Sequence, residues 1–216
     1  MTVQEILLHL KSSDTEEKLH AFEELYQLAA MPELYEAVVE NLASMDDRVQ
    51  FASLSIIIKK FPTQLQRDAK KLTPLLLHLL VASSSPVTDR AIWALTITGE
   101  NSIHALIRSL TTTNDDLYKE GCIWALGRNG HIRQHPTLVV DTLRAFLHST
   151  NPRLQYAALI ALMDMSPLRP FKRLSATDYN FTVVYDEEEV IAQSLLRRQV
   201  VDAHWPKLYL ELLRNR

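Results

Sequence analysis

Two stretches decide how this chain folds: RAIWALTITG at Arg90–Gly99 and GCIWALGRNG at Gly121–Gly130. They align at a 31-residue offset over Ile-Trp-Ala-Leu and again at the closing glycine. A recurrence of this kind marks a structural unit copied along the chain, each copy too small to bury its apolar face and so obliged to stack on its neighbours.

The pattern extends outward in both directions. NPRLQYAALIALMDM at Asn151–Met165 sets Ala158, Leu159, Ala161 and Leu162 where CIWAL has Cys122, Ile123, Ala125 and Leu126. DDRVQFASLSIIIKKF at Asp46–Phe61 sets Ser53, Leu54, Ile56 and Ile57 there, and a more degraded copy at Ser13–Ala29 supplies Ala21, Phe22 and Leu25. An amphipathic stretch precedes each: Val3–Leu10, Leu34–Leu42, Leu72–Leu80, Ser102–Leu110 and Thr137–Leu147. Between the paired stretches lie capping and breaking residues: Ser12-Ser13-Asp14, Asp46-Asp47, Ser83-Ser84-Ser85-Pro86, Asn114-Asp115-Asp116 and Asn151-Pro152. The unit is a helical hairpin, repeated about five times.

Composition agrees. With 47% hydrophobic residues in a chain of 216, and only four glycines and nine prolines, a packed helical core is affordable and a low-complexity chain is excluded. The balance of 23 basic against 26 acidic residues gives no reason to expect binding to a phosphate backbone. A lone Cys122 makes no internal disulfide, and no window approaches the roughly 20 apolar residues that span a bilayer. MTVQEILLHLKSSD has a broken apolar run and no cleavage site. The expectation is a cytoplasmic protein without nucleic-acid or membrane partners.

The strings DDRVQFASLSII, NPRLQYAALIAL and CIWALGRNG resemble HEAT repeats, especially the short bacterial variety also found in phycobilin lyase subunits. Arg48 and Arg153 match the arginine of that consensus, whereas Pro86 and Leu117 stand there in the third and fourth copies. The resemblance implies an all-α, right-handed α-α superhelix over residues 1–166. Residues 167–216 then form a C-terminal loop and helices, either a cap on the stack or a regulatory tail. It also implies that the second helix of each hairpin lines a concave groove.

On a wheel at about 100° per residue, with Ala91 at zero, Leu95 and Ile92 fall on the core face and Trp93 at about 200°, pointing away from it. Trp124 falls likewise, and Cys122 takes the core position of Ala91. The outward column reads Glu23, Ser55, Trp93, Trp124, Ile160; one turn earlier it reads Leu19, Phe51, Asp89, Glu120, Tyr156, and one turn later Gln27, Lys59, Ile97, Arg128, Asp164. Phe51, Asp89, Arg90, Trp93, Glu120, Trp124, Arg128, Tyr156 and Ile160 are therefore the candidate partner-binding residues: an aromatic floor ringed by charge, the chemistry of a protein-binding hot spot.

Beyond Met165, SPLRPFKRLSATDYN carries helix-breaking Pro167 and Pro170 and a basic cluster of Arg169, Lys172 and Arg173. FTVVY at Phe181–Tyr185 reads as a short strand or an extended segment, DEEEVIAQSLLRRQVV as a helix with acidic residues at its start, and His204 to Leu213 as a final helix.

The sequence contains no phosphate loop, nucleophile elbow or cysteine-pair zinc spacing. His131 and His135 lie in a loop bounded by glycine and proline, which argues against a metal site, and Cys122 reads as packing. Deoxyhypusine hydroxylases, which share the repeat architecture, use His-Glu dipeptides for iron, and this chain has none. The expected function is a non-enzymatic scaffold without cofactor that binds another polypeptide in its groove. A phycobilin-lyase-like protein, with a tetrapyrrole on Trp93 and Trp124 and Arg128 on a propionate, is the alternative, and self-association through the strip is a third reading.

Overall fold

The computed structural model describes residues 1–82, 84–169, 173–199 and 202–215. Ser83, Pro170, Lys172 and the Val200–Val201 end of the expected helix lie outside these. Among the described residues the chain is helical, with no strand. Thirteen α-helices follow in order: α1 (Val3–Leu10), α2 (Thr15–Gln27), α3 (Tyr35–Glu40), α4 (Asp47–Lys60), α5 (Pro62–Arg67), α6 (Ala69–His78), α7 (Ser85–Ile97), α8 (Glu100–Thr112), α9 (Asp116–Arg128), α10 (Pro136–Ala145), α11 (Pro152–Met165), α12 (Thr182–Arg198) and α13 (His204–Arg214). The helices of the five expected hairpins are all present, and α5 is an added short helix entered through Pro62 at its first position.

The chain divides into two compact units, Met1–Ser102 and Ile103–Arg216. In the first, α1 packs on α2 and α3 on α4, while α2, α4 and α7 stack in repeat order. Ile6, Leu10, Leu25, Leu54 and Ile57 are fully buried or nearly so in that core. In the second unit α9 and α11 make the most extensive helix pairing, with α10 packed beside α11.

Local chemistry recurs with the repeat. Asp14, Asp46, Asp115 and Asn151 each accept a hydrogen bond from the backbone N–H two residues on, at 2.7 to 2.9 Å, which satisfies an otherwise orphaned donor at the start of α2, α4, α9 and α11. Each cap is itself held by the hydroxyl two residues earlier: Ser12, Ser44, Thr113 and Ser149 accept from the cap's own N–H at 3.0 to 3.1 Å. The signature is Ser/Thr-x-Asp/Asn. The first helices α3, α6 and α10 each end in a 3-10 turn. In two repeats a glutamine ties off that turn, Gln50 donating to the Ser44 carbonyl at 2.7 Å and Gln155 to the Leu147 carbonyl at 3.0 Å.

The two closing glycines, equivalent in the alignment, differ in the fold. Gly99 has a φ of 70°, the left-handed conformation that ends α7 cheaply, while α9 ends at Asn129 in an extended conformation and Gly130 keeps no such angle. Gly127 is the glycine that packing demands. A Cβ there would lie 2.5 Å from the Ala161 Cβ and 3.0 Å from its Cα, so α9 and α11 approach backbone to backbone.

The C-terminal segment departs most from expectation. FTVVY is neither strand nor extended: α12 begins at Thr182, whose N–H is held by the Asn180 side chain at 3.2 Å. Phe181, Val184, Tyr185, Glu188, Ala192 and Leu195 are buried along one helical face, and the Phe181 and Tyr185 rings stack at 6.1 Å. The run Asp186–Glu189 therefore sits in the second turn, not at the helix start. Within the second unit α12 packs on α11 and α13 on α12. Arg144 of α10 forms a bidentate pair with Glu187 of α12, one contact at 2.7 Å, and Tyr179 donates to Asp141 at 2.7 Å. Two members of the basic cluster are engaged: Arg169 pairs with Asp164 at 3.4 Å, and Arg173 donates to the Gly127 carbonyl at 3.3 Å.

Glu188 is fully buried between α12 and α13. The Tyr209 hydroxyl donates to one carboxyl oxygen and the other meets no hydrogen-bond partner among the described residues. Burial raises its pKa to about 8, so the group is held protonated.

Gly127→Ala lowers stability in chemical denaturation by about 1–3 kcal/mol through overpacking, despite a helix-propensity gain of about 1 kcal/mol, and Ala161→Gly in the same chain restores most of it. A proton kept by Glu188 when folded and lost when unfolded makes stability fall as pH rises from about 4.5 to about 8. Denaturation midpoints of Glu188→Gln across that range should decline less steeply than those of the natural chain.

Candidate functional site

The outward column becomes two surfaces, one in each unit. In the first unit, α7 buries Ala91, Ile92, Ala94 and Leu95 to 4% exposure or less and leaves Trp93 54% exposed. The helix period does this. Trp93 stands opposite the buried arc and so keeps more than half of its surface in solvent. One turn earlier Arg90 lies over the Phe51 ring of α4, 5.3 Å from its centroid, and Asp89 is exposed beside it.

An open groove of about 1180 Å³ runs between α2, α4 and the start of α7. Leu19, Phe51, Glu23, Ser55 and Lys59, all on the outward columns, line it together with Arg90. Tyr26 was not among the sequence candidates and is the residue that completes it: Lys59 places its ammonium 3.2 Å above the Tyr26 ring. The signal for it was present, since Tyr26 follows Leu19 by seven residues, two turns along the same helical face. The Tyr26 phenol is pulled below its ordinary range, first by the adjacent Lys59 ammonium and then by the positive charges of Arg90 and Lys60.

In the second unit Trp124 is half-buried. The Tyr156 ring stands edge-on at 6.3 Å and the Arg128 guanidinium lies 5.1 Å from the indole centroid. Glu120 is engaged by Arg153 at 2.9 Å, a contact from α9 to α11 that matches the pairing of Arg48 with Glu16 between α2 and α4, also at 2.9 Å. Both arginines of the repeat signature thus serve the stack rather than a ligand. At such exposure each pair contributes at most about 1 kcal/mol.

Ile160 does not extend the floor. It is 5% exposed, because α11 is packed on its outer side by α12 and α13 as well as by the repeat before it. The same packing buries Met163 and Met165. The sequence column places Ile160 by helical period alone, which takes no account of how the C-terminal helices pack.

For reaction chemistry the residues offer little. His135 stacks edge-on with His104 at 4.8 Å, and no cluster of three histidine, cysteine, aspartate or glutamate side chains among the described residues is arranged to hold a metal. Cys122 is fully buried, and burial pushes its thiol up to about 12. No helix among the described residues is long and apolar enough to cross a membrane.

No family model matches the chain, and no curated protein matches it. Solved structures do. The MAST/Orbit N-terminal domain aligns with a TM-score of 0.55 at 15% identity, over 97% of this chain and 95% of that one. A designed armadillo repeat protein in complex with the peptide (KR)4 gives 0.52 at 18% identity over 100% and 99%, and a further designed armadillo repeat protein gives 0.51 at 17% over 98% and 100%. The protein is thus a helical-repeat protein with the armadillo/HEAT-type fold, an α-α superhelix built from stacked hairpins. At these identities the likeness concerns the fold alone.

A thiol so placed should be silent. In the folded protein at pH 8 Cys122 is expected to resist a disulfide reagent and to react at full stoichiometry once denaturant is added; rapid modification without denaturant would place it at the surface.

Proposed function

We propose that this protein is a non-enzymatic adaptor that holds a segment of another polypeptide on the outward faces of its second helices. The observation that carries the reading is Trp93, more than half exposed on a helix whose adjacent residues are buried. An indole left in water in this way forgoes its own burial, and its large area becomes available to a partner. Phe51, Asp89 and Arg90 belong to the same outward face of the first unit, one turn earlier. Trp124, Tyr156, Glu120 and Arg128 supply a second, tighter aromatic patch. Tryptophan, tyrosine and arginine in this mix are the residues that dominate protein-binding energetics. The peptide bound by one of the designed armadillo proteins lends the reading support by analogy of fold.

In this proposal residues 167–216 cap the last hairpin, consistent with α12 covering α11. The protein works in the cytoplasm, where a lone, buried cysteine is at no disadvantage. Arg128 lies on the Trp124 ring, covering a face that a tetrapyrrole would need, which favours a polypeptide over a bilin.

Affinity capture from native extract, run with the natural chain beside Trp93→Ala/Trp124→Ala, tests this. Loss of a buried anchor of about 2 kcal/mol should weaken the partner about thirtyfold, while helix content and melting stay near those of the natural chain. Equal recovery of every captured protein by both baits would overturn it. Conversion of an oligomer to a monomer by the same variant, seen by sizing chromatography, would assign the strip to self-association.

A further inference from the structure

The groove of the first unit has a chemical polarity that names its occupant. Of the three cationic side chains on its wall, Arg48 is consumed by Asp46 and Glu16, each at 2.9 Å. Lys60, next to the wall, donates to the Leu28 carbonyl. Lys59 and Arg90 are different: their partners are ring faces, Tyr26 and Phe51, and neither meets a carboxylate among the described residues. On the anionic side Glu24 is matched by the Met1 ammonium at 3.4 Å, Asp47 lies half-buried at the end of the wall that holds Arg48, and Glu23 stands exposed.

A cation resting on an aromatic face keeps most of its positive potential, since the ring carries no net charge. The lowered Tyr26 phenol reports the same field, because Lys59, Arg90 and Lys60 all act on it. The groove therefore joins two large rings to two cations that make no ion pair with a carboxylate among the described residues. Its volume, about 1180 Å³, lies above the range of roughly 300–1,000 Å³ usual for small-molecule sites. It is also open, as a chain-binding cleft is.

We propose that this groove binds an extended segment of a partner protein that carries an acidic side chain next to a large apolar one, the carboxylate reaching Lys59 and Arg90 and the apolar group lying on Phe51 and Tyr26. This rests on the adaptor reading above and specifies what one of its surfaces selects. Displacing the two cations from their rings onto a carboxylate exchanges a weak contact for a charge-assisted one, and the vacated ring faces accept the apolar side chain.

The test is a phage-displayed library of random peptides, about twelve residues long to match an extended-strand or groove mode of recognition. It is panned on the full chain and on Lys59→Glu/Arg90→Glu, a pair of surface changes whose folding is checked by circular dichroism. The natural chain should enrich peptides pairing Asp or Glu with Leu, Phe, Trp or Tyr, and the charge-reversed variant should bind those peptides about tenfold or more weaker in fluorescence polarisation. Enriched peptides that are basic or neutral, or acidic ones bound equally by both proteins, overturn the proposal. If such peptides instead depend on Trp93 and Trp124, the adaptor reading survives without it. If the natural chain enriches no peptide at all, both fall.

Discussion

Everything in this molecule depends on how closely its second helices can approach. A hairpin of some thirty residues buries too little of its own apolar surface to stand alone, so stability comes from stacking one hairpin on the next. The stacking faces are accordingly built from small residues. Ala91 and Ala94 on α7, Cys122 and Ala125 on α9 and Ala158 and Ala161 on α11 are all buried to 2% exposure or less. The limit is reached at Gly127 against Ala161, where not even one methyl group fits. Where α9 and α11 lie that close, the side of each turned away from the other is set by the helical period. Side chains that stand there are left to solvent or to a partner unless another helix covers them, as α12 and α13 cover α11.

That separation explains why the charged residues of the repeat divide into two kinds. Arg48 and Arg153 bridge successive second helices through Glu16 and Glu120 and belong to the scaffold. Lys59, Arg90 and Arg128 lie over aromatic rings on the outward side and belong to the surface. An arginine engaged by a carboxylate and one resting on a ring look identical in a list of residues. They differ in how much of their charge is left to act on a ligand.

The caps show how a repeat can persist while its residues change. Ser12-Ser13-Asp14, Ser44-Met45-Asp46, Thr113-Asn114-Asp115 and Ser149-Thr150-Asn151 share only the hydroxyl and the carboxylate or amide two residues later, and they make the same pair of hydrogen bonds. The Asp and Asn caps are recognisable from sequence, but the hydroxyl preceding each carries no distinct signal, because serine and threonine are common in turns for several unrelated reasons.

The sequence by itself determined the helical hairpin, its repetition and the outward stance of Trp93, because these follow from a 3.6-residue period and local capping, both written in neighbouring residues. Only the tertiary structure decided the rest. FTVVY, a β-branched run too short to reveal its period, becomes helical because Phe181, Val184 and Tyr185 continue the buried face of Glu188, Ala192 and Leu195. Ile160 is lost from the surface because α12 and α13, far along the chain, fold back over α11. Tyr26 joins the site because α4 brings Lys59 over its ring. Each of these outcomes depends on contacts between residues distant in sequence, and such contacts leave no mark on the local pattern.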